Sequence, residues 1–134
     1  MIENAPCPCL SGDSYDACCG RFHTGYLQAG DKFRWPGTAE ALMRSRYSAF
    51  AKGEADYLLA TWHPDTRPGS LELDGEMEWK RLDILDVRKG GPFDSEGVVL
   101  FEARYRLGGE RGVQREESSF RRIDGRWYYL DAVD

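Results

Sequence analysis

The segment Val99-Leu-Phe-Glu-Ala-Arg-Tyr-Arg106 carries the clearest structural pattern in this chain. Its odd-numbered side chains are Val99, Phe101, Ala103 and Tyr105, and its charged side chains are Glu102, Arg104 and Arg106. Successive side chains of a β-strand point to opposite faces of a sheet. The alternation therefore predicts a strand with one face in the core and the other in solvent.

Three further runs of strand-like residues surround this segment. The four predicted strands cover 77–89, 97–107, 112–123 and 126–133. Glycine-containing breaks separate them, at Gly90-Gly91-Pro92, Gly108-Gly109 and Asp124-Gly125. Asp-Gly between two strands is a strong signal for a two-residue hairpin turn. We therefore predict an antiparallel meander.

Two predicted helices precede the strands. Thr38 is a good N-cap residue, and the apolar residues after it recur at the spacing of an amphipathic helix. These apolar residues are Leu42, Met43, Tyr47 and Phe50, and Gly53 marks the end of the helix. A second helix is predicted over 54–62, because His63-Pro64 disfavours its continuation. This order of elements predicts an α+β fold in which helices cover one face of the sheet.

A cluster near the N-terminus contains all four cysteines of the chain. They are Cys7, Cys9, Cys18 and Cys19. Pro8 restricts the first turn, Ser11-Gly12 allows the chain to reverse, and Gly20 can adopt a positive φ that other residues resist. Four thiolates form the closed tetrahedral ligand set of a structural zinc site. The spacing therefore predicts a zinc knuckle.

Disulfides, free thiols and catalytic zinc are the alternatives. A Cys18–Cys19 disulfide would close a strained ring, although the other pairings are sterically conceivable. The chain begins at Met1 without a basic and apolar leader, so we expect a cytoplasmic location. In the reducing cytosol, clustered cysteines bind metal more often than they form disulfides. His23 could replace one ligand in a catalytic site. With four cysteines available, we interpret it as a group that orients the ligands or lies on the surface.

The cysteine segment resembles a known motif. The run from Pro6-Cys7-Pro8-Cys9 to Cys18-Cys19-Gly20 is similar to the SEC-C motif at the carboxyl end of the translocase motor SecA. The resemblance implies that the four cysteines are zinc ligands. In SecA the basic knuckle docks onto an acidic chaperone surface, whereas this chain has Asp13 and Asp16 where lysines are usual. We therefore expect a protein partner at the knuckle without carrying over that chaperone.

Four further segments carry a second resemblance: Thr38 to Phe50, Tyr57 to Pro64, Phe101 to Tyr105 and Gly125 to Tyr129. They resemble the YchJ-like family of bacterial proteins, whose biochemical role is not established, and the resemblance covers nearly the whole chain. It implies a SEC-C knuckle over residues 1–24 followed, over 25–134, by a cone-shaped domain similar to nuclear transport factor 2 (NTF2).

Composition limits the functional classes. A chain of 134 residues with 41% hydrophobic content can form one core, and no run of about 18 apolar residues predicts a membrane-spanning helix. The formal net charge of −5 argues against a general nucleic-acid binder, which would need a clustered basic surface.

Five residues are candidates for a site in the larger domain. Arg46 falls on the apolar face of the first helix, where it could line a cavity. Alternatively, its aliphatic stem packs on the core while its guanidinium reaches solvent or a carboxylate. We expect the second arrangement. His63 could transfer protons or cap a helix end. With Tyr57, these two are the candidate catalytic residues. Tyr47 and Trp62 are candidate ligand-pocket residues, although aromatic residues at helical spacing usually belong to the core.

The strands suggest ion pairs and an exposed apolar face. We expect the carboxylates of Glu102, Glu116 and Glu117 to pair with Arg104 and Arg115 across strands. The last strand is apolar on both sides, with Trp127 and Tyr129 on one and Tyr128 and Leu130 on the other. The side away from the helices therefore requires a cover. A second copy of the chain could supply it, which would give a homodimer through the sheet, or the zinc knuckle could fold back onto it.

Two functional hypotheses follow. The first is a zinc-binding docking or adaptor protein, because the ligand set is closed and no catalytic motif is visible. The second is an enzyme or small-ligand binder that uses a cavity between the helices and the sheet.

Overall fold

The computed structural model describes residues 7–9, 14–15, 18–25, 35–73 and 75–132. The helices and strands are α1 (Cys19–Gly25), α2 (Ala39–Lys52), α3 (Ala55–Ala60), β1 (Met77–Lys89), β2 (Glu96–Leu107), β3 (Glu110–Ile123) and β4 (Arg126–Ala132). The predicted α+β fold is confirmed. Helix α1 was not predicted from the sequence.

The four strands form one antiparallel sheet in the order β1-β2-β3-β4. Gly108 and Gly109 connect β2 to β3, and Asp124 and Gly125 connect β3 to β4, all with positive φ values between 53° and 86°. Two consecutive residues with positive φ are the requirement of a type I′ hairpin turn. The Asp-Gly prediction is therefore confirmed, and the same turn chemistry applies at Gly-Gly.

Helix α2 lies across one face of this sheet. The Oγ1 atom of Thr38 accepts a hydrogen bond from the backbone N of Ala41 at 3.0 Å, which caps the first turn. Gly53 ends the helix with φ 77°. The core joins the inner face of α2 to the inner face of the sheet, through Ala39, Leu42, Met43, Tyr47, Leu82, Val99, Phe101, Ala103, Phe120 and Trp127.

The segment after α3 runs beside β4. Tyr129 donates its backbone N–H to Thr61 O at 2.8 Å and accepts from the backbone N of His63 at 2.7 Å. The outer side of β4 is covered in part by Trp35, whose ring centroid lies 5.3 Å from that of Tyr128 and whose Nε1 donates to Trp127 O at 2.8 Å. This partial cover comes from the connector before α2, and a second chain on the rest of this face stays a prediction.

Candidate metal centre and interior cavity

The four cysteine sulfurs converge on one point. All four Sγ atoms lie within 4.8 Å of one another. Cys9 Sγ is 3.6 Å from Cys18 Sγ, and Cys18 Sγ is 3.9 Å from Cys19 Sγ. Sulfurs bound at about 2.3 Å to a tetrahedral zinc ion lie about 3.8 Å apart. The centre therefore has the spacing of a four-thiolate metal site, and all four cysteines are free of disulfides.

The four-cysteine cluster is buried against α2. Cys7, Cys9 and Cys19 are each at most 1% exposed and belong to the same core cluster as the inner face of α2. Arg44 connects the two parts, because its Nη1 donates to Cys9 O at 3.2 Å and its backbone O lies 3.5 Å from Cys19 Sγ. Ser48 Oγ lies 3.5 Å from Cys7 Sγ. The knuckle is therefore part of the domain's core.

The thiols are electrostatically coupled. Hydrogen bonds from the side chains of Cys19 and Cys9 lower the pKa of Cys7 far below its usual value, and the hydrogen bond to Cys7 raises the pKa of Cys19. The four sulfurs therefore compete for protons, and a divalent cation would remove this competition by bonding to all four.

His23 connects the knuckle to α2 without being part of the sulfur cluster. It is 6% exposed, and burial lowers its pKa, so the ring is neutral at neutral pH. Its Nε2 donates to Ser45 O at 2.8 Å, which leaves Nδ1 to accept from the hydroxyl of Tyr15. Of the two interpretations of His23, the surface position is wrong, and a role in orienting the metal ligands stays a prediction. His23 fixes the inner face of α1 to α2.

Gly20 is required by close packing. It lies within α1, its φ is not positive, and its backbone N donates to Tyr15 O at 2.7 Å. A Cβ atom at this position would lie 2.7 Å from that oxygen and 2.9 Å from the Tyr15 ring. Gly20 therefore does not use the positive φ that glycine permits. Glycine is needed because the chain passes too close for a side chain.

We expect His23→Phe to weaken the folded state by about 2 kcal/mol, because it removes the hydrogen bonds of the ring with Ser45 O and with the hydroxyl of Tyr15. The phenyl ring retains most of the buried volume. Urea denaturation measures the change, and elemental analysis should find the metal content unchanged. Loss of the metal would show that His23 is a ligand.

A cavity between α2 and the sheet contains Arg46. Its volume is about 170 Å³, and it is lined by Met43, Arg46, Phe50, Trp62, Phe101, Gln114, Glu116, Ser118 and Tyr129. A neighbouring apolar cavity of about 160 Å³ shares four of these residues and adds Tyr47, Trp79 and Ala103. Gln114 lines both cavities and is solvent-exposed. The interior is therefore open to solvent beside this residue.

Arg46 is buried together with its head group. It is 3% exposed, and its Nη1 donates to Leu58 O at 2.8 Å and to Thr61 Oγ1 at 2.7 Å. Its Cζ lies 4.7 Å from the Tyr129 ring centroid and 5.2 Å from that of Trp62. The expectation that its head reaches solvent or a carboxylate was wrong. Backbone and hydroxyl acceptors that come from α3 and the turn after it hold the head group inside.

The three candidate catalytic residues do not meet. The Tyr57 hydroxyl lies 2.6 Å from Ser45 Oγ, and the ring packs against His23 on the knuckle side of α2. His63 accepts from the backbone N of Asp65 at 3.0 Å through Nδ1 and so closes the turn after α3. Neither lines the cavity that contains Arg46.

The two pocket candidates do line the cavities, Trp62 the first and Tyr47 the second. Among the described residues, neither Trp62 Nε1 nor the Tyr47 hydroxyl has a hydrogen-bond partner. Burial raises the pKa of Tyr47 to about 12, so its hydroxyl stays protonated. Contact of these two residues with a ligand stays a prediction.

Glu116 is a site residue that the sequence reasoning missed. Glu102 pairs with Arg115 at 3.2 Å, as expected. Glu116 instead points inward, where its Oε2 accepts hydrogen bonds from Ser118 and, at 3.2 Å, from the Tyr129 hydroxyl. The sequence contained a signal for this orientation. Every second residue of a strand lies on the same face, so counting back from the apolar Phe120 places Ser118, Glu116 and Gln114 on the inner face of β3.

A larger groove of about 430 Å³ lies along the sheet surface. It is lined by Lys80, Arg81, Arg104, Tyr105, Arg106, Arg111, Gly112 and Val113. Two of its arginines already pair with Asp83, at 2.9 Å for Arg81 and 3.7 Å for Arg104. Exposed ion pairs of this kind contribute little energy and are common on surfaces. We therefore treat the interior cavity as the candidate ligand site.

The fold and the cysteine centre define a class of protein in which a SEC-C motif precedes an NTF2-like domain. Residues 4–21 match the SEC-C motif, and residues 38–132 match the family described as "YchJ, middle NTF2-like domain". The chain belongs to the YchJ-like family. None of the described helices is long and apolar enough to cross a membrane.

Relatives match over nearly the whole chain. A UPF0225 protein of Streptomyces coelicolor is 52% identical over 130 residues, which cover 97% of this chain and 96% of the relative. A UPF0225 protein of Chromobacterium violaceum is 48% identical over 132 residues, or 96% of this chain and 93% of the relative.

Two solved structures share the architecture. The solution structure of a SEC-C motif containing protein from Rhodopseudomonas palustris has a TM-score of 0.78 at 36% identity, with 96% of this chain and 98% of that chain covered. The crystal structure of a SEC-C motif containing protein from Psychrobacter arcticus has a TM-score of 0.76 at 26% identity and covers 97% and 81%.

Proposed function

We propose that this protein binds one zinc ion in a structural site and acts as a docking or adaptor module for a protein partner. The observation that carries the proposal is the closed set of four converging sulfurs, since a site with four cysteine ligands has no open position for water or substrate. Zinc is the metal that such a thiolate set most commonly holds in structural sites.

The role assigned to the metal is to hold the N-terminal segment on α2. Three of the four ligands are at most 1% exposed, and the segment contacts α2 through Arg44, Ser45 and Ser48. Zinc binding thereby orders a surface that the chain could not maintain by apolar burial alone. The knuckle face turned away from α2 is the proposed docking surface, and Arg21 is exposed on it.

The metal is tested by elemental analysis of protein purified without added metal. We expect one zinc per chain, and cobalt substitution should give the visible spectrum of a tetrahedral thiolate centre. Protein that is folded but contains no metal, or an open site with bound water, would contradict the proposal.

Docking is tested separately from folding by the charge reversal Arg21→Glu. This residue is exposed and is not a ligand, although its Nε donates an exposed hydrogen bond to Cys18 O at 3.0 Å. We therefore expect zinc content to be retained and stability to fall only slightly, while capture of a partner from cell extract falls. The matched control is Arg121→Glu, which reverses an exposed charge on β3. If both variants and the native protein capture the partner equally well, the partner does not bind the knuckle surface around Arg21. The net charge of −5 disfavours nucleic acid as the partner.

Self-association through the sheet remains part of the proposal. Light scattering across a range of concentrations tests it, and a monomer at the highest concentration would exclude it.

A second candidate function is small-ligand binding in the interior cavity. The buried guanidinium of Arg46 favours it, because buried charges in proteins are normally paired and this one has no carboxylate at ion-pair distance among the described residues. An enzymatic role has less support, because Arg46, Tyr57 and His63 do not share the cavity.

A further inference from the structure

Arg46 has unused hydrogen-bonding capacity inside the protein. Its two hydrogen bonds both use Nη1, and no described residue accepts a hydrogen bond from Nε or Nη2. A guanidinium has five N–H donors in a fixed planar fork. The bonds to Leu58 and Thr61 hold one side of this fork in place, so the remaining donors are positioned before any ligand arrives.

The charge of Arg46 persists despite its burial. Desolvation lowers its pKa to about 10, and the nearby acidic groups Tyr129, Tyr57 and Glu116 oppose this shift. The side chain is therefore a cation at neutral pH. A buried cation without an ion-pair partner is costly, and an anion that entered the cavity would compensate it.

The second cavity supplies a place for an apolar group. Apart from Gln114 at the opening, its lining is made of Met43, Tyr47, Phe50, Trp79, Phe101 and Ala103. An engineered apolar cavity of roughly 150 Å³ is large enough to hold benzene. Each of the two adjoining spaces, about 170 and 160 Å³, is of that size. A ligand with a polar head in the first and one small ring or short chain in the second fits both.

Glu116 determines which anion is accepted. Its carboxylate also lines the first cavity, and its Oε2 is already occupied by Ser118 and Tyr129. A dianionic phosphate would face one cation and one nearby carboxylate in a confined site. A monoanion carries half that charge, and a planar carboxylate matches the guanidinium fork with two parallel hydrogen bonds.

From these contacts we propose that the cavity binds a small monocarboxylate with an apolar body, its carboxylate on Nε and Nη2 of Arg46 and its apolar group in the Met43–Trp79 space. This proposal rests on the second candidate function and names its ligand class. Access is beside Gln114, the exposed residue common to both spaces.

Titration of the full zinc-loaded chain with benzoate, benzamide and benzylamine tests the ligand class, because the three differ only in the polar head. NMR follows binding through the side-chain Nε–H signal of Arg46. We expect benzoate to bind at least tenfold more tightly than benzamide and to shift that signal. Equal affinities of benzoate and benzamide, or preference for the amine, would overturn the carboxylate assignment and leave small-ligand binding standing. If none of these three compounds binds, and hexanoate does not bind either, both the carboxylate assignment and small-ligand binding in the cavity are overturned.

Two variants locate the site. Arg46→Gln should reduce the affinity for benzoate to that for benzamide, whereas the exposed Arg121→Gln should leave it unchanged. If Arg46→Gln fails to fold, Glu116→Gln tests the site instead. This variant removes the negative charge that repels the carboxylate of benzoate but keeps the shape of the side chain, so benzoate should bind severalfold more tightly. A fall in benzoate affinity in Glu116→Gln would overturn the proposal.

Discussion

Cys9→Ser should purify without the zinc ion that we propose for the cysteine site, and it should unfold about 10 °C below the native protein, a loss of about 3 kcal/mol at this chain length. Cys9 is fully buried, and its sulfur lies 3.6 Å from that of Cys18. Serine presents a hydroxyl where the metal requires a thiolate, so the tetrahedral ligand set is incomplete and the ion that holds the N-terminal segment on α2 is lost.

The expected loss extends beyond the knuckle because the cysteines belong to the core of the whole domain. Cys7, Cys9 and Cys19 share a cluster with Leu42 and Trp127. Apparent binding free energies in zinc-finger peptides reach about 10–16 kcal/mol. We expect a smaller effect here, because the sheet and α2 retain their own apolar contacts when the metal leaves.

Elemental analysis and thermal unfolding measure the two parts of this prediction. His23→Phe is the matched control, since it disturbs a neighbouring contact between the N-terminal segment and α2, the hydrogen bond to Ser45 O, but should keep the metal. Chelation of the native protein should reproduce the unfolding temperature of Cys9→Ser. A variant that loses zinc yet unfolds at the native temperature would contradict the view that the metal centre supports the domain.

The elements that the sequence predicted correctly are those with local signals. Thr38 and Gly53 bound α2 by capping chemistry that requires only neighbouring residues. Asp124-Gly125 specifies its turn by backbone preference alone. The spacing of the four cysteines indicated a common centre because each pair is close in sequence and one reversal brings the pairs together.

The features that the sequence did not reveal depend on distant partners. Helix α1 has seven residues, too few to be stable alone, and it is held by Tyr15, Ser45 and the metal centre. The position of Arg46 depends on acceptors from α3 and the turn after it, 12 and 15 residues along the chain. The amphipathic pattern of α2 alone placed this arginine on the apolar face but could not supply those acceptors.

The second prediction with a large effect concerns Gly97, where the start of β2 meets the end of β1 and the start of α2. We expect Gly97→Ala to destabilise the fold by about 3 kcal/mol, the upper part of the range for overpacking. A Cβ atom there would lie 2.5 Å from Gly90 Cα and 3.2 Å from Ala39 Cβ. The first of these contacts is with backbone, so no side-chain rotation relieves it.

The consequence reaches both sites because α2 carries residues of each. Gly90 O accepts from the backbone N of Ala39 at 2.9 Å, so a shift of Gly90 moves the start of α2, which also carries Arg44 and Arg46. Urea denaturation measures the loss. Gly37→Ala is the control, because its Cβ would meet nothing within 4 Å, and it should change stability by less than about 0.5 kcal/mol. The double variant Gly97→Ala with Ala39→Gly should remain destabilised, since the obstacle is the Gly90 backbone. Native stability in Gly97→Ala would show that this close approach does not position α2.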